Sequence, residues 1–197
     1  MNPEKIMAFD WSNAQWIFAI VIGITMAKYY SLIVQYYRRR EVITFYLPHI
    51  LQIVSIVVAL YMLWYMGESN YSALENKPIS FMVRNFCDGL LLLMYLYLIP
   101  DDTDLNKSEF DMKDWYMKTK NTYYVFSMVV GLVFFFLAAK YNYGFELVRF
   151  EFKAVVVVTI VNSLLMIGVI LSRNTYYHCF FQFFRITSWL AALLVSR

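Results

Sequence analysis

Residues 42–66 read VITFYLPHILQIVSIVVALYMLWYM and contain no Asp, Glu, Lys or Arg. A helix needs about 20 mostly apolar residues to cross the hydrocarbon core of a bilayer, so this stretch is long enough to span one. Five further stretches have a similar length and apolar character: 15–37, 79–99, 122–139, 154–171 and 176–195. The sequence therefore predicts an all-α fold, a polytopic transmembrane helical bundle with six spans, in a single integral membrane domain over residues 1–197.

The stretches 79–99 and 176–195 differ from the others because each holds a charged residue near its middle. A bundle of four spans with two partly buried helices is the alternative that these charges leave open. The stretch 15–37 runs on for too long to be the apolar region of a secretory signal peptide, so we expect it to remain as the first span.

The overall composition supports a membrane protein. Hydrophobic residues make up 61% of the 197 residues and charged residues 16%, against roughly half and about a quarter in soluble domains. A soluble domain of this size could not remove so much apolar surface from water. The lipid bilayer is therefore the first partner that the sequence predicts, and the predicted location is the bacterial inner (cytoplasmic) membrane.

Signals for catalysis and for nucleic-acid binding are missing from the sequence. It contains no His-Glu-x-x-His helix, Gly-rich phosphate loop, Gly-x-Ser-x-Gly turn or Cys-x-x-Cys pair, which are the motifs that carry common enzyme and metal chemistry. The net charge of +3 comes from local clusters, unlike the basic face of a nucleic-acid-binding domain. We expect a protein without catalytic activity, cofactor, metal or direct nucleic-acid contact.

Charged and polar residues inside the spans are the strongest functional signal. A charge at the centre of a bilayer costs about 2.5–3.5 kcal/mol on insertion scales, so it usually faces the bundle interior and a partner. Asp88 and Arg185 lie at similar depths in spans three and six, which predicts an ion pair between them. Arg84 is one helical turn from Asp88 and could share its carboxylate. Together with Lys28 and Asn162, they form a predicted intramembrane charged cluster.

This cluster has two interpretations. In the first, it fixes the register of the helices, because polar side chains hold neighbouring helices together in a membrane. In the second, it lines a hydrated path for ions or protons, as in a channel, and a homo-oligomer would give such a path more room. A small secondary transporter, in which the same cluster binds a solute at the midplane, is a further alternative.

The two histidines, His49 and His178, both lie near the ends of spans. Two histidines on facing helices can hold one haem iron axially, so a b-type haem electron carrier is another alternative. The sequence lacks small residues beside either histidine that would make room for a porphyrin, and this favours an ordinary packing role.

The polar segments between spans predict a surface for a cytoplasmic protein partner. Short loops rich in Lys and Arg tend to stay in the cytoplasm, and the triplet Arg38, Arg39 and Arg40 lies in such a loop. Residues 101–120 form the one sizeable polar segment, either as a solvated loop or as a short helix on the membrane surface. We expect the partner surface to combine the arginine triplet with Asp101, Asp102 and Asp104.

In size, hydropathy profile and its acidic loop at residues 101–120, the chain resembles the small multi-pass membrane accessory proteins of type VI-B CRISPR antiviral loci. Proteins of that kind modulate the interference activity of an RNA-guided RNA nuclease. The resemblance implies a regulatory accessory in antiviral defence and carries over no individual residue. The function expected from the sequence is thus a non-enzymatic, channel-like or regulatory membrane protein.

Overall fold

The computed structural model describes residues 11–65, 78–105, 109–141 and 150–195. It contains six long helices, one short helix and two short strands. In chain order these are α1 (Trp11–Arg38), β1 (Ile43–Thr44), α2 (Leu47–Tyr65), α3 (Pro78–Tyr97), α4 (Asp102–Leu105), β2 (Phe110–Asp111), α5 (Met112–Tyr141), α6 (Phe150–Leu171) and α7 (Thr175–Val195). The predicted helical fold is confirmed, and each of the six predicted apolar stretches overlaps one long helix.

Prolines mark several helix boundaries. Pro78 is the first residue of α3, and Pro48 lies in the first turn of α2. Proline is tolerated there because the first amides of a helix have no carbonyl partner within the helix. Pro100 follows the end of α3 at Tyr97, where its ring disfavours helical backbone in the residue before it.

Side-chain caps begin two other helices. The amide of Lys113 donates to a carboxylate oxygen of Asp111 at 2.7 Å, and the amide of Tyr176 donates to the side-chain oxygen of Asn174 at 2.9 Å. Asp and Asn are among the preferred N-cap residues because their side chains accept from these first amides. These two caps fix where α5 and α7 start.

The segment of residues 101–120 is divided in the structure, and its positions 106–108 lie outside the described residues. The second half of this segment is the beginning of α5, which runs without interruption from Met112 to Tyr141. This half is therefore neither a solvated loop nor a separate surface helix. The cap at Asp111 starts the helix, and neither Gly nor Pro occurs between residues 112 and 122 to end it. The fourth predicted span is therefore the continuation of a longer helix.

The helices pack into one bundle. Helix α2 packs along α7, α5 packs along α6 and α3, and α1 packs against α2 and α3. Large aromatic side chains fill much of the interior, and six of them are almost completely inaccessible: Tyr29, Phe81, Tyr116, Tyr123, Tyr124 and Phe181. The interior thus contains many buried phenol hydroxyls, each of which needs a hydrogen-bonding partner.

Three helices in the described part of the chain are long and apolar enough to cross a membrane: Phe18–Arg38, Leu47–Tyr65 and Met112–Leu137. The apolar stretch Val156–Leu171 is shorter. Bulky apolar side chains cover the outside of the bundle, including Trp16 and Leu171 at 76% and 79% exposure. Such a surface suits lipid, and these helices indicate an integral membrane protein.

Candidate functional site

The predicted contact between Arg84 and Asp88 is present. The Arg84 Nε lies 3.0 Å from Oδ2 of Asp88, and the carboxylate is fully buried. Both residues are on α3 at positions i and i+4, so one helical turn brings them together. The Arg84 guanidinium also lies 3.9 Å from the centre of the Phe134 ring on α5, a cation–π contact that links the two helices.

Arg185 on α7 has a different partner from the one that the sequence predicts. Its Nη1 donates to the hydroxyl of Tyr123 at 3.0 Å, and its guanidinium lies over the rings of Tyr123 and Phe181. In place of an ion pair between Asp88 and Arg185, the structure therefore contains two interactions, Arg84 with Asp88 and Arg185 with Tyr123. The rotation of α7 in the bundle turns Arg185 toward α5.

A cavity of about 400 Å³ lies between α2, α3, α5, α6 and α7. Three members of the predicted charged cluster, Arg84, Asn162 and Arg185, line this central cavity. They come from three different helices and lie near the middle of α6 and α7 and in the first half of α3. The structure thus brings together most of the polar cluster that the sequence predicts.

Ser127 on α5 also lines the central cavity. It is 9% exposed, and its hydroxyl oxygen is one of the buried polar atoms without a hydrogen-bond partner in the described part of the chain. Most buried hydroxyl groups in proteins are hydrogen-bonded, since leaving one unpaired costs free energy. This hydroxyl is therefore a group that a guest in the cavity could satisfy.

Lys28 is separate from the rest of the predicted cluster. It lies on an exposed face of α1 and lines a second cavity of about 400 Å³, together with Gln35, Asp101 and Leu105. Helix α1 buries the face that carries Tyr29, Leu32 and Tyr36 instead. Lys28 therefore lies outside the central cluster, contrary to the prediction from the sequence.

The two histidines are held by tyrosines. His49 Nε2 lies 3.0 Å from the hydroxyl of Tyr36, and His178 Nδ1 lies 2.9 Å from that of Tyr116. His178 Nε2 is 3.1 Å from the carbonyl oxygen of Ser172. A carbonyl only accepts, so Nε2 carries the proton and Nδ1 accepts from Tyr116.

The ring of Tyr116 contacts both imidazoles, with centroid distances of 6.4 Å to His49 and 5.3 Å to His178. A haem would need the space between two facing histidines, and its iron would need a free nitrogen on each. Here a tyrosine ring touches both, and both nitrogens of His178 are engaged. This arrangement favours packing and hydrogen bonding as the role of the two histidines over axial ligation.

Lys120 is a buried residue whose role the sequence did not reveal. Its Nζ donates to the carbonyl oxygens of Val169, Ile170 and Ser172 at 2.8, 2.9 and 3.1 Å. The carbonyls of Val169 and Ile170 lie in the last turn of α6, and that of Ser172 follows directly after it. The last carbonyls of a helix lack amide partners within it, and the negative end of the helix dipole favours a cation there. Lys120 therefore caps α6 from α5.

The buried tyrosines of α5 are another feature that the sequence did not reveal. Tyr124 accepts a hydrogen bond from Gln182 of α7, and the neighbouring Tyr123 accepts from Arg185. Both lie at the start of the predicted span 122–139, where interfacial tyrosines are expected, so the sequence holds no signal of their burial.

The two halves of the predicted partner surface lie side by side. Strands β1 and β2 pair in parallel, Ile43 with Phe110 and Thr44 with Asp111, and the Arg39 guanidinium donates to the carbonyl of Leu105. Arg40 lies 5.3 Å from the ring centre of Tyr37. We call this joined region, residues 38–46 with 98–105 and 109–111, the end cap.

The loop between α6 and α7 reaches the same end of the bundle. The hydroxyl of Tyr46 lies 3.4 Å from Oγ1 of Thr175. Burial raises the pKa of Tyr46, so the phenol stays protonated and able to donate. The connections that precede α2 and α7 are thus in contact, and strand pairing joins the first of them to the connection before α5.

The described residues contain no group of three or more His, Cys, Asp or Glu side chains placed to hold a metal ion. Comparison with known protein families, curated proteins and solved structures finds no match to this chain.

Proposed function

We propose that the chain is a six-span protein of the cytoplasmic membrane without catalytic activity. Each of the six long helices has 19 or more residues and reaches about 30 Å at roughly 1.5 Å per residue, the thickness of the hydrocarbon core. In α3 and α7 the charged residues Asp88 and Arg185 are buried. They therefore face the bundle and not lipid, which supports counting both helices as spans.

Labelling of single cysteines tests this topology. In a variant with Cys87→Ala and Cys179→Ala, new cysteines at Glu41 and Glu109 should react with a membrane-impermeant maleimide only after cells are permeabilised. New cysteines at Ser69 and Asn142 should react in intact cells. Equal reactivity at Glu41 and Ser69 in intact cells would contradict the six-span arrangement.

For the activity, we propose solute binding in the central cavity, as in a small secondary transporter. The observation that carries this proposal is that Arg84, Asn162 and Arg185 line one cavity of about 400 Å³. Binding pockets are usually apolar, with a few convergent polar groups that fix the orientation of the ligand. Both guanidiniums already contact protein partners, and this supports a bound guest more than a hydrated ion path.

Transport in liposomes separates this function from a channel. Uptake of a panel of labelled anions (lactate, benzoate and phosphate) should saturate with concentration, show competition and fall in Arg185→Gln. The exposed Arg173→Gln should transport normally, because Arg173 does not line the cavity. If uptake shows no competition between solutes and the protein instead gives a steady KCl conductance that does not saturate, a channel would be favoured.

The second candidate function is a regulatory accessory that engages a cytoplasmic partner through the end cap. It is supported by two contacts of the arginine loop: Arg39 with Leu105, and strand β1 with strand β2. The resemblance to type VI-B CRISPR accessories would make the partner an RNA-guided nuclease. Co-expression of this protein with the nuclease should then change the level of interference against an RNA phage, and the Arg39→Ala variant should not cause that change. No effect of co-expression on interference would contradict this candidate.

A further inference from the structure

Among the described residues, the wall of the central cavity carries one more positive charge than the neighbouring carboxylate neutralises. Asp88 pairs with Arg84 at 3.0 Å. The contacts of Arg185 are with the Tyr123 hydroxyl and with aromatic rings, all of them neutral. Within the described chain, Arg185 forms no salt bridge within 4.0 Å. A buried cation beside an apolar cavity favours an anion as the guest, because charge is poorly solvated there.

The rest of the wall is mainly apolar. Leu91, Val130, Met166 and Phe184 contribute to it from four helices. Among the polar exceptions, the hydroxyl of Ser127 has no hydrogen-bond partner within the part of the chain that the structure describes. A guest that matches this wall has a hydrocarbon body and a small polar end that can accept a hydrogen bond.

We propose that the central cavity binds an amphipathic monoanion, a carboxylate on a short hydrocarbon body, with Arg185 and Ser127 holding the carboxylate. This inference rests on the proposed solute-binding function and names its ligand class. The charge balance leaves one positive charge, which suits a carboxylate better than the dianion of a phosphate monoester. Because a group of the size of water takes up about 30 Å³, the cavity has room for on the order of a dozen non-hydrogen atoms.

Two residues of the cavity wall allow ligand binding to be measured and blocked. Trp189 lines the cavity and reports on a guest through its fluorescence. Gly131 also lines it, and a Cβ added there would meet no atom within 4 Å. Gly131→Leu should therefore fill the cavity without disturbing the bundle. Gly23 on α1 has equally open space but lies outside the cavity, so Gly23→Leu is the matched control.

The experiment measures quenching of tryptophan fluorescence in the purified protein by bromoundecanoate and by the neutral bromoundecanol, in a non-ionic detergent. We expect saturable quenching, with a half-saturating concentration about tenfold or more lower for the carboxylate, as one charge-assisted hydrogen bond gives. Trp189→Phe should remove the saturable part, and Arg185→Gln should remove the preference for the carboxylate. Gly131→Leu should abolish saturation and Gly23→Leu should keep it.

Competitors show where the natural ligand comes from. Displacement by decanoate supplied in vesicles indicates a lipid-derived acid, and displacement by benzoate indicates a water-soluble one; either supports the inference. Equal half-saturation by the carboxylate and the alcohol would overturn it, while saturable uptake of any solute in liposomes would leave the proposed transport function standing. Absence of saturation in both measurements, in protein that elutes as a single folded species, would overturn both.

Discussion

The hydroxyl of Tyr116 on α5 lies 2.9 Å from Nδ1 of His178 on α7, and the other ring nitrogen of that histidine lies 3.1 Å from the carbonyl of Ser172. Both residues are inaccessible to solvent. One imidazole thus ties α5, α7 and the α6–α7 connection together, and its tautomer is fixed by the carbonyl.

Tyr116→Phe should lower the free energy of unfolding by about 0.6–1.7 kcal/mol, the range found for hydrogen bonds between membrane helices. The change removes the donor and leaves Nδ1 of His178 unpaired in the interior. Thermal unfolding in detergent would measure it. Tyr176→Phe is the control, since Tyr176 is 85% exposed, and equal losses in the two variants would contradict the interpretation.

Lys120→Met should destabilise the bundle by about 1.5–3 kcal/mol, the range for hydrogen bonds that involve a charged group. Three carbonyls at the end of α6 lose their shared donor and the favourable charge at the helix terminus. Lys118→Met is the comparison, because Lys118 is exposed and lies 5.6 Å from the ring centre of Trp115. The midpoints of chemical unfolding of the two variants measure the difference in stability. An effect of Lys120→Met as small as that of Lys118→Met would contradict the role of Lys120 as a cap of α6.

Gly168→Ala should cost about 1–3 kcal/mol, as overpacking does. An added Cβ would overlap the hydroxyl end of Tyr177, which donates to the carbonyl of Leu165 at 3.1 Å. Gly89→Ala, with open space around the new methyl group, should be neutral or slightly stabilising. In a Tyr177→Ala background the cost of Gly168→Ala should disappear, and a cost that persists would show that the ring is not its cause.

Arg84→Met and Asp88→Leu should each be strongly destabilising alone, by about 3–5 kcal/mol, because either removes one partner of a buried ion pair. The double variant should recover most of that loss, since two apolar side chains can replace a buried ion pair. A double-mutant cycle by thermal unfolding gives the coupling energy. Additive losses would mean that the two side chains do not act as a pair.

Arg39→Ala should loosen the end cap and speed amide exchange at Phe110, whose amide donates to the carbonyl of Val42 at 3.1 Å. The guanidinium of Arg39 holds the carbonyl of Leu105 close to this strand pair. Hydrogen exchange measured by mass spectrometry would show the change. Arg40→Ala, which removes an exposed side chain over Tyr37, should leave the exchange at Phe110 unaltered.

The positions of the helices could be read from the sequence because hydropathy and length act locally. The same holds for Arg84 and Asp88, which lie one turn apart on one helix whatever the bundle does. The start of α5 could not be read from the sequence, because Asp111 resembles any other acidic residue of a polar loop. Its role as an N-cap is evident only from its contact with the amide of Lys113.

By itself, then, the sequence determined a helical membrane protein, its six long helices and the contact between Arg84 and Asp88. These follow from hydropathy and from the spacing of residues along a single helix. Only the tertiary structure decided that Arg185 meets Tyr123, that Lys120 caps α6 and that Lys28 lies outside the central cavity. These contacts depend on the rotation and depth of each helix relative to its neighbours. That arrangement results from the packing of many side chains at once, and no spacing within one helix specifies it.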